Sequence, residues 1–488
     1  MSHILAIDQG TSATKCVLVD TTGRIVAKAS AALGESYPQP GWVEQDAQAI
    51  WLSVLEAVRL CIEQKPQARV AAVGLSTQRE SALIWNRKDA SPVTPLLSWQ
   101  DRRTVGLLEA LAADHVTDMV LDKSGLPLDP MFSALKIRWL LDRVDPDRTA
   151  SRNADLVAGT VDAWLVARLG GESTIEVGNA SRTQLLNVAN AAWDDDLLRL
   201  FNIPVQMLPE IVPSIRKHAD AAGLHPSLAG VPVSSVMADS HAALYAHGVR
   251  EVGSVKATMG TGSSVMGLAR KGAQRLEGMC LTVGWDAGTG PRLAHEGNIR
   301  SAGATLRWAA DLFGIDAEVA AAEAVLAPAG ELCIVPAFSG LGAPYWDARA
   351  VGLMSGLTLD TNRQQVLAAA LDSIAHQVAD VVAAVDGGGD SVKKLLLDGG
   401  PSRNATLRAS VAAYIKRPVV HCTDPELSAL GVAHLAGLRE GVWDEAALQS
   451  LARSQVTTEV PERSEEEISR LRSNWALAVT RSRTQRSA

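Results

Sequence analysis

Apolar runs near the start of the chain predict a meander of three β-strands. The runs are 3–7, 16–19 and 24–31, and glycine, threonine, serine or aspartate separates them, as turns require. Over 45–63 the apolar positions change to helical spacing, and Asp46 is suited to cap the start of that helix. The run 70–75 then predicts a buried strand. This order of strands and helix is typical of an α/β unit.

The same order recurs in the second half of the chain. The predicted elements are strands at 254–259, 264–268, 280–284 and 292–295, helices at about 302–312 and 363–385, and a strand at 394–397. The repetition predicts two related α/β domains, 1–247 and 248–488, joined near 248–253. Ligand sites concentrate at domain seams, so we expect the site in a cleft between the domains. The alternative is one mixed domain with an appended helical region.

Composition narrows the functional class. A chain of 488 residues is longer than a single hydrophobic core usually accommodates, which also favours two domains. The formal charge is −8 and no basic cluster precedes the arginine-containing tail, so nucleic acid is not an expected partner. The five cysteines lack metal-ligand or redox spacing, which favours a reducing, cytoplasmic location. No apolar run reaches membrane-spanning length, and we expect no membrane span.

Two Gly/Thr/Ser turns carry candidate phosphate-binding chemistry. The turn residues are Gly10, Thr11 and Ser12 in the first hairpin, and Gly260, Thr261 and Gly262 in the second. Exposed amides and hydroxyls in such turns bind anions, and Asp8 at the end of the first strand is suited to hold the metal of a nucleotide. The alternative is two ordinary tight hairpins. Neither a P-loop nor a Gly-x-Gly-x-x-Gly fingerprint occurs, which disfavours P-loop kinases and standard dinucleotide dehydrogenases.

Several longer stretches carry a resemblance to a known family. They are Ala6-Ile7-Asp8-Gln9-Gly10-Thr11, Pro40-Gly41-Trp42-Val43-Glu44-Gln45-Asp46, Gln78-Arg79-Glu80, Trp99-Gln100-Asp101-Arg102-Arg103-Thr104, Asn179-Ala180-Ser181-Arg182-Thr183 and Gly340-Leu341-Gly342-Ala343-Pro344-Tyr345-Trp346-Asp347. Over nearly its whole length the chain resembles the FGGY carbohydrate kinases, most closely their glycerol kinase branch. The resemblance implies two actin-like, ribonuclease-H-like α/β domains with an interdomain catalytic cleft. It also implies phosphorylation of a sugar or polyol hydroxyl with ATP and Mg²⁺.

The resemblance implies that Asp239 is the catalytic base. A neutral alcohol is a poor nucleophile, and a carboxylate can accept its proton as the oxygen attacks phosphorus. Asp239 lies where a strand is predicted to run into a helix. The alternative reading is that Asp239 only caps that helix.

The resemblance also implies a nucleotide site, with most of its residues in the second domain. The residues are Gly10, Thr11, Ser12, Lys15, Gly260, Thr261 and Gly262 around the phosphates, and Gly399, Gly400, Ser402 and Asn404 at the adenosine. The branch usually has arginine where this chain has Lys15, which keeps the positive charge without the planar fork. On its own, the segment 398–404 would be an ordinary strand-to-helix turn.

The implied substrate site lies mainly in the first domain, beside the base. Arg79 and Glu80 match a pair that binds substrate hydroxyls as donor and acceptor, and Trp99 matches an apolar wall. The alternatives are a surface ion pair and core packing. Three positions depart from glycerol kinase, which has Tyr, Gln and Phe where this chain has Met131, Ser240 and Ser264.

These departures predict a substrate larger than glycerol, such as a tetritol or a ketopentose like xylulose or ribulose. Phosphorylation of glycerol itself is one alternative. A non-catalytic, actin-like nucleotide-binding regulator is another, and the presence of both Asp8 and Asp239 disfavours it. A bare ATPase is disfavoured by the pair Arg79-Glu80. We expect a homo-oligomer, either a dimer or a tetramer.

Overall fold

The computed structural model describes residues 2–389, 391–424, 426–453, 456–459 and 463–484. Over these residues the strands are β1 (Ser2–Gln9), β2 (Ala13–Val19), β3 (Ile25–Ala32), β4 (Glu44–Gln45), β5 (Arg69–Thr77), β6 (Leu83–Asn86), β7 (Leu96–Leu97), β8 (Leu156–Gly159), β9 (Thr174–Glu176), β10 (Leu186–Asn187), β11 (Ala192–Trp193), β12 (Glu210–Val212), β13 (Ile215–Asp220), β14 (Pro232–Ala238), β15 (Ser254–Met259), β16 (Ser263–Leu268), β17 (Cys280–Trp285), β18 (Arg292–Ile299), β19 (Cys333–Val335), β20 (Leu353–Ser355), β21 (Lys394–Gly399), β22 (Val419–Cys422) and β23 (Val456–Glu459).

The helices over the same residues are α1 (Ala47–Glu63), α2 (Val105–Leu111), α3 (Asp114–Ser124), α4 (Ser133–Val144), α5 (Thr149–Arg152), α6 (Val161–Arg168), α7 (Val177–Ser181), α8 (Asp195–Phe201), α9 (Asp239–Ala246), α10 (Gly303–Leu312), α11 (Ala317–Glu323), α12 (Arg363–Gly387), α13 (Ala405–Ile415), α14 (Leu427–Arg439), α15 (Glu445–Arg453) and α16 (Glu465–Thr484). The predicted cap of the first helix is confirmed, because the Asp46 side chain accepts a hydrogen bond from the Gln48 amide.

The chain forms two compact units, as the internal repetition predicts. The first unit contains Met1–Gly248, Leu281–Leu293 and Glu426–Arg453. The second contains Val249–Cys280, Ala294–Pro425 and Ser454–Ala488. The predicted α/β class is confirmed, since each unit is built on a mixed sheet with helices packed against it.

In the first unit the central sheet has the strand order β13-β14-β5-β1-β2-β3. β1, β2 and β3 form the predicted antiparallel meander, whereas β1, β5 and β14 run parallel. The residues Ile4 to Ile7 of β1 are fully buried, as a continuous apolar run in a covered sheet requires. Helix α14 packs closely on this sheet, because a Cβ at Gly74 of β5 would lie 2.5 Å from the Val432 carbonyl oxygen.

In the second unit the strands are ordered β18-β16-β15-β21-β22-β23. β15 and β16 form the second predicted hairpin, and β15, β21 and β22 run parallel. The core is a layer of buried aliphatic side chains between this sheet and helices α12 and α13. By length and composition α12 alone, among the described helices, could cross a membrane, but 89% of its most apolar window is buried inside the protein. Such burial is typical of a core helix.

Candidate active site

The parallel strands of the first unit bring two carboxylates to one edge of its sheet. The register pairs Asp8 of β1 with Ser76 of β5, and Ser76 with Met237 of β14. Asp239 follows two residues after Met237, so both aspartates lie at the carboxyl ends of parallel strands, where α/β ligand sites form. Burial, and next the negative charge of Asp239, raise the pKa of Asp8 to about 7. The two carboxylates are therefore electrostatic neighbours.

Asp239 begins helix α9, and Ala238 occupies its N-cap position. The alternative in which Asp239 is the capping residue is therefore wrong. Its Oδ1 atom accepts a hydrogen bond from the Ser240 amide at 2.5 Å and lies 3.2 Å from Nε of Arg79. The side chain is 39% exposed, so a ligand can reach it.

Arg79 and Glu80 are both buried, so the alternative of a surface ion pair is also wrong. Arg79 Nε lies 3.8 Å from Glu80 Oε1 and thus bridges Glu80 and Asp239. Glu80 has a φ of 60°, a left-handed conformation that is uncommon for a residue other than glycine. Ser133 Oγ donates to the Glu80 carbonyl oxygen at 3.0 Å and holds this backbone in place.

Arg182 is a further charged residue at this site to which we assigned no role from the sequence. Its guanidinium is fully buried, and Nε donates to Glu80 Oε1 at 2.7 Å. The distance in sequence is 102 residues, so no local pattern indicates the pair. Its motif, Asn179-Ala180-Ser181-Arg182-Thr183, is the only signal in the chain that points to it.

Removing this arginine is expected to destabilise the fold. Arg182→Met should lower the free energy of unfolding by about 3–5 kcal/mol, because it leaves Glu80 as a buried carboxylate without its main counterion. Urea denaturation measures the loss. The matched control is Arg59→Met, which breaks the exposed pairs of Arg59 with Glu56 and Glu63 and should leave the midpoint nearly unchanged. Equal midpoints for the two variants would contradict this role for Arg182.

Trp99 lies beside the first phosphate turn and is not a core residue. The residue is 37% exposed, and its Nε1–H donates to Thr11 Oγ1 at 3.1 Å. The loop that carries it is fixed by Asp101, whose carboxylate accepts from the Val43 amide at 2.7 Å. Arg103 pairs with the same carboxylate. The indole of Trp99, which was predicted to supply an apolar surface, therefore also contacts the first turn through its N–H group.

Met131 and Ser240, two of the positions that differ from glycerol kinase, also lie in the first unit. A fully buried lysine, Lys136, donates to the carbonyl oxygens of Pro130 at 2.8 Å and Met131 at 2.5 Å. Burial lowers the pKa of Lys136 to about 8. Ser240 is buried in the first turn of α9. No sequence pattern points to Lys136, which fixes the backbone on both sides of Met131.

The first turn has the predicted hairpin geometry. The Gly10 amide donates to the Ala13 carbonyl oxygen at 3.1 Å, and Ser12 is exposed. Lys15 is the cross-strand partner of Asp8, and its Nζ lies 3.2 Å from the buried carboxylate of Glu426. The positive charge beside the turn is thus held in place by an acidic partner.

The second turn borders a cavity of about 820 Å³ inside the second unit. The Gly260 carbonyl oxygen accepts from the Gly303 amide at 2.9 Å, and that of Thr261 accepts from the Ala302 amide at 2.8 Å. These bonds fix the turn to the start of α10. The described residues that line the cavity are Gly260, Thr261, Gly303, Leu306, Arg307, Ala317, Glu318, Ala321, Ala322, Leu371, Ile374, Gly400, Pro401, Arg403 and Asn404.

Four of the seven predicted nucleotide residues of this unit therefore line the cavity. The other three are Gly262, Gly399 and Ser402, which the described lining does not include. A Cβ at Gly399, whose φ is 88°, would lie 2.1 Å from the Met259 carbonyl oxygen, so this glycine permits a close strand approach. Ser402 Oγ donates to the Gly399 carbonyl oxygen at 2.6 Å. Asn404 both lines the cavity and caps α13 through the Leu407 amide.

Ser264, the third position that differs from glycerol kinase, belongs to a polar cluster in the second unit. Its Oγ donates to Glu296 Oε1 at 2.8 Å, and Asn298 Nδ2 donates to the same oxygen at 3.3 Å. Ser264 and Asn298 are cross-strand partners in β16 and β18. Glu296 is fully buried. The cluster is thus anchored by a carboxylate in the core of the sheet.

The chain is similar to known proteins over almost all of its length. The profile of the N-terminal domain of the FGGY family of carbohydrate kinases matches residues 3–246, and that of the C-terminal domain matches residues 255–439. The chain is 38% identical to an apulose kinase from Pectobacterium atrosepticum, over 98% of each chain. It is 36% identical to a glycerol kinase from Halalkalibacterium halodurans, over 90% of each. The crystal structure of Plasmodium falciparum glycerol kinase with ADP superposes with a TM-score of 0.93, at 27% identity and 99% coverage of both chains.

Proposed function

We propose that this chain, which belongs to the FGGY family of carbohydrate kinases, phosphorylates a four- or five-carbon ketose or polyol in preference to glycerol. Membership of the family makes it an ATP-dependent kinase of a sugar or polyol. The observation that carries the preference is the polar cluster of Ser264, Glu296 and Asn298. It stands at the position where glycerol kinases have an apolar phenylalanine. The relative named apulose kinase supports the same direction.

Asp239 is the base we assign to the reaction. The attacking hydroxyl oxygen forms a bond to the γ-phosphorus, its proton passes to the Asp239 carboxylate, and ADP leaves with the electrons of the broken P–O bond. Arg79, 3.2 Å from Asp239, holds the carboxylate in orientation through its Nε. The buried position of Arg79 and Glu80 suits them to bind adjacent hydroxyls, the first as donor and the second as acceptor.

Asp8 is the residue we assign to Mg²⁺. The neighbourhood fits a divalent cation, because two carboxylates lie close together there and the pKa of Asp8 is raised to about 7, first by burial and then by Asp239. Oxygen ligands of this kind are preferred by Mg²⁺. When bound, the metal would neutralise charge on the phosphate oxygens. Asp8 would hold it, and Ser76, which donates to Asp8 Oδ1 at 3.0 Å, would orient the carboxylate.

The cavity of the second unit is the site we assign to the adenosine of ATP. Its volume is within the range of small-molecule pockets. Leu306, Leu371 and Ile374 supply apolar surface for the base, and Gly260 and Gly400 allow the backbone to approach the ligand. The structural relative crystallised with ADP supports an adenine nucleotide as a ligand of this chain.

The substrate preference follows from the side chains that are present. A buried polar group must be paired, and a site built to bind a hydroxyl penalises a substrate that lacks it. Ser264 and Asn298 add hydrogen-bonding groups where an apolar wall would suit the carbons of glycerol. Met131 cannot donate a hydrogen bond as tyrosine can. A longer chain with more hydroxyls therefore complements this set better than glycerol.

The preference is tested by restoring the three side chains of glycerol kinase. The triple variant Met131→Tyr, Ser240→Gln, Ser264→Phe should shift the ratio of kcat/KM toward glycerol by about 10-fold or more, the range for a changed pocket contact. A coupled ADP-release assay over polyols, ketoses and aldoses measures the ratio. An unchanged ratio in a folded triple variant would contradict the role of these positions. A wild-type preference for glycerol would favour true glycerol kinase activity instead.

Three expectations from the sequence stay predictions. They are the domain boundaries 1–247 and 248–488, the dimeric or tetrameric state and the cytoplasmic location. A reducing compartment is supported by the cysteines, all five of which are buried and free.

A further inference from the structure

A closed ring of hydrogen bonds in the first unit connects the first phosphate turn with Trp99. Gln45 Nε2 donates to the Thr11 carbonyl oxygen at 2.7 Å, and Gln78 Nε2 donates to Gln45 Oε1 at 2.9 Å. Ser81 Oγ donates to Gln78 Oε1 at 3.0 Å, and the Trp99 amide donates to Ser81 Oγ at 3.1 Å. The Trp99 indole closes the ring on Thr11 Oγ1. We call this the glutamine ring.

The hydrogen bonds of the glutamine ring fix the orientation of the Gln78 carboxamide. Gln78 Nε2 donates to two oxygens, Gln45 Oε1 and, at 3.2 Å, Gln9 Oε1, while its own oxygen accepts from Ser81. A flipped carboxamide at Gln78 would place its oxygen against two other oxygens. Gln45, Gln78 and Ser81 are nearly inaccessible to solvent, so water cannot replace a lost partner.

One bond of the ring also spans the turn that carries Arg79 and Glu80. Gln78 and Ser81 are the residues that flank Arg79 and Glu80 in the chain, and their side-chain bond spans the turn in which Glu80 has its left-handed φ. A fully paired polar network of this kind gives no clear stability advantage over an apolar core of the same shape. Its distinctive property is that it fixes geometry, here among three elements that carry proposed site residues.

We propose that Gln45, Gln78 and Ser81 are positioning residues that hold the Thr11 turn, the Arg79–Glu80 turn and Trp99 at fixed separations for phosphoryl transfer. This proposal rests on the proposed function of those elements. The ring residues do not contact substrate in this role. They act through Thr11 and Trp99, so that a shift at one is transmitted to the other.

The test begins with Gln78→Met, which keeps the length of the side chain and removes its hydrogen bonds. We expect kcat to fall about 10- to 100-fold at saturating ATP and sugar, since small misplacements at a reacting site have effects of this size. The matched control is Ser151→Ala, which removes another buried side-chain hydrogen bond, to Asp145, outside the ring. It should lose stability without a change in kcat. Urea denaturation of both variants separates stability from activity.

A double-mutant cycle supplies the readout that a merely structural role would not change. Trp99→Phe removes the indole donor to Thr11. If the ring acts as a unit, the double variant Gln78→Met, Trp99→Phe should lie within about twofold of the worse single variant in kcat. Ser81→Ala replaces Gln78→Met in the cycle if the latter does not fold.

The proposal is overturned if Gln78→Met or Ser81→Ala keeps kcat within twofold of wild type, or if the effects in the cycle multiply as independent changes do. A wild-type protein that phosphorylates none of the sugars or polyols would overturn the proposed function, and this proposal with it. A wild-type protein that is active, with an unaffected Gln78→Met variant, overturns the positioning role alone.

Discussion

Asp239→Asn is expected to lower kcat by about 10²- to 10⁴-fold, the range for a lost general base. Asparagine keeps the size of the side chain and an oxygen near the Ser240 amide, but it cannot accept the hydroxyl proton. Binding of nucleotide should change little, because the cavity we assign to adenosine is built from other residues. Turnover by coupled ADP release and nucleotide affinity by calorimetry measure the two effects.

The control for this variant is Asp220→Asn, at the end of β13 in the same sheet. Asp220 accepts a hydrogen bond from the Ala222 amide and has no proposed role in catalysis. It should retain wild-type kcat. Near-wild-type turnover of Asp239→Asn, with the fold intact, would exclude Asp239 as the base.

Asp8→Asn is expected to impair catalysis and to stabilise the fold at the same time. Loss of a ligand for Mg²⁺ should lower kcat by about 10²-fold or more, since the charge neutralisation that a metal supplies is worth several kcal/mol. Saturating sugar should not restore the rate. Titration of kcat with Mg²⁺ checks this part, and an unchanged rate with an unchanged Mg²⁺ requirement would contradict the assignment.

The stability effect follows from the direction of the pKa shift. Burial and the charge of Asp239 raise the pKa of Asp8 from 3.8 to about 7. Between these values the folded chain binds more protons than the unfolded chain, so stability falls as pH rises through this window. In EDTA at pH 8, Asp8→Asn should therefore raise Tm by about 2 °C or more. The gain should shrink toward pH 5, and a Tm below that of wild type at pH 8 would contradict it.

The sequence was most informative where local pattern determines structure. Apolar runs with turn residues between them located both hairpins, and parallel strands then had to bring Asp8 and Asp239 to one edge. The alternatives of a helix cap at Asp239 and a surface pair at Arg79 and Glu80 could be rejected only from the structure. Their outcome depends on where a helix begins and on burial, neither of which a single motif specifies.

Partners far apart in the chain were not predictable. Arg182 and Glu80 are 102 residues apart, and no periodicity connects them. The side chains of Leu306, Leu371 and Ile374 have the spacing of ordinary helical core positions, so nothing in the pattern distinguished a cavity wall from the core. The glutamine ring was missed for a related reason, because its members lie in separate motifs and meet only through tertiary packing.

We propose that this carbohydrate kinase prefers a four- or five-carbon ketose or polyol to glycerol. The most direct measurement is internal competition, in which wild-type enzyme and limiting ATP act on an equimolar mixture of glycerol and one such compound at a time, over ketopentoses, apulose and tetritols. Mass spectrometry of the phosphorylated products gives the ratio of kcat/KM without separate assays. We predict that at least one four- or five-carbon product exceeds glycerol phosphate by about 10-fold or more, the scale of a changed pocket contact. Glycerol phosphate as the dominant product in every mixture would contradict this substrate preference.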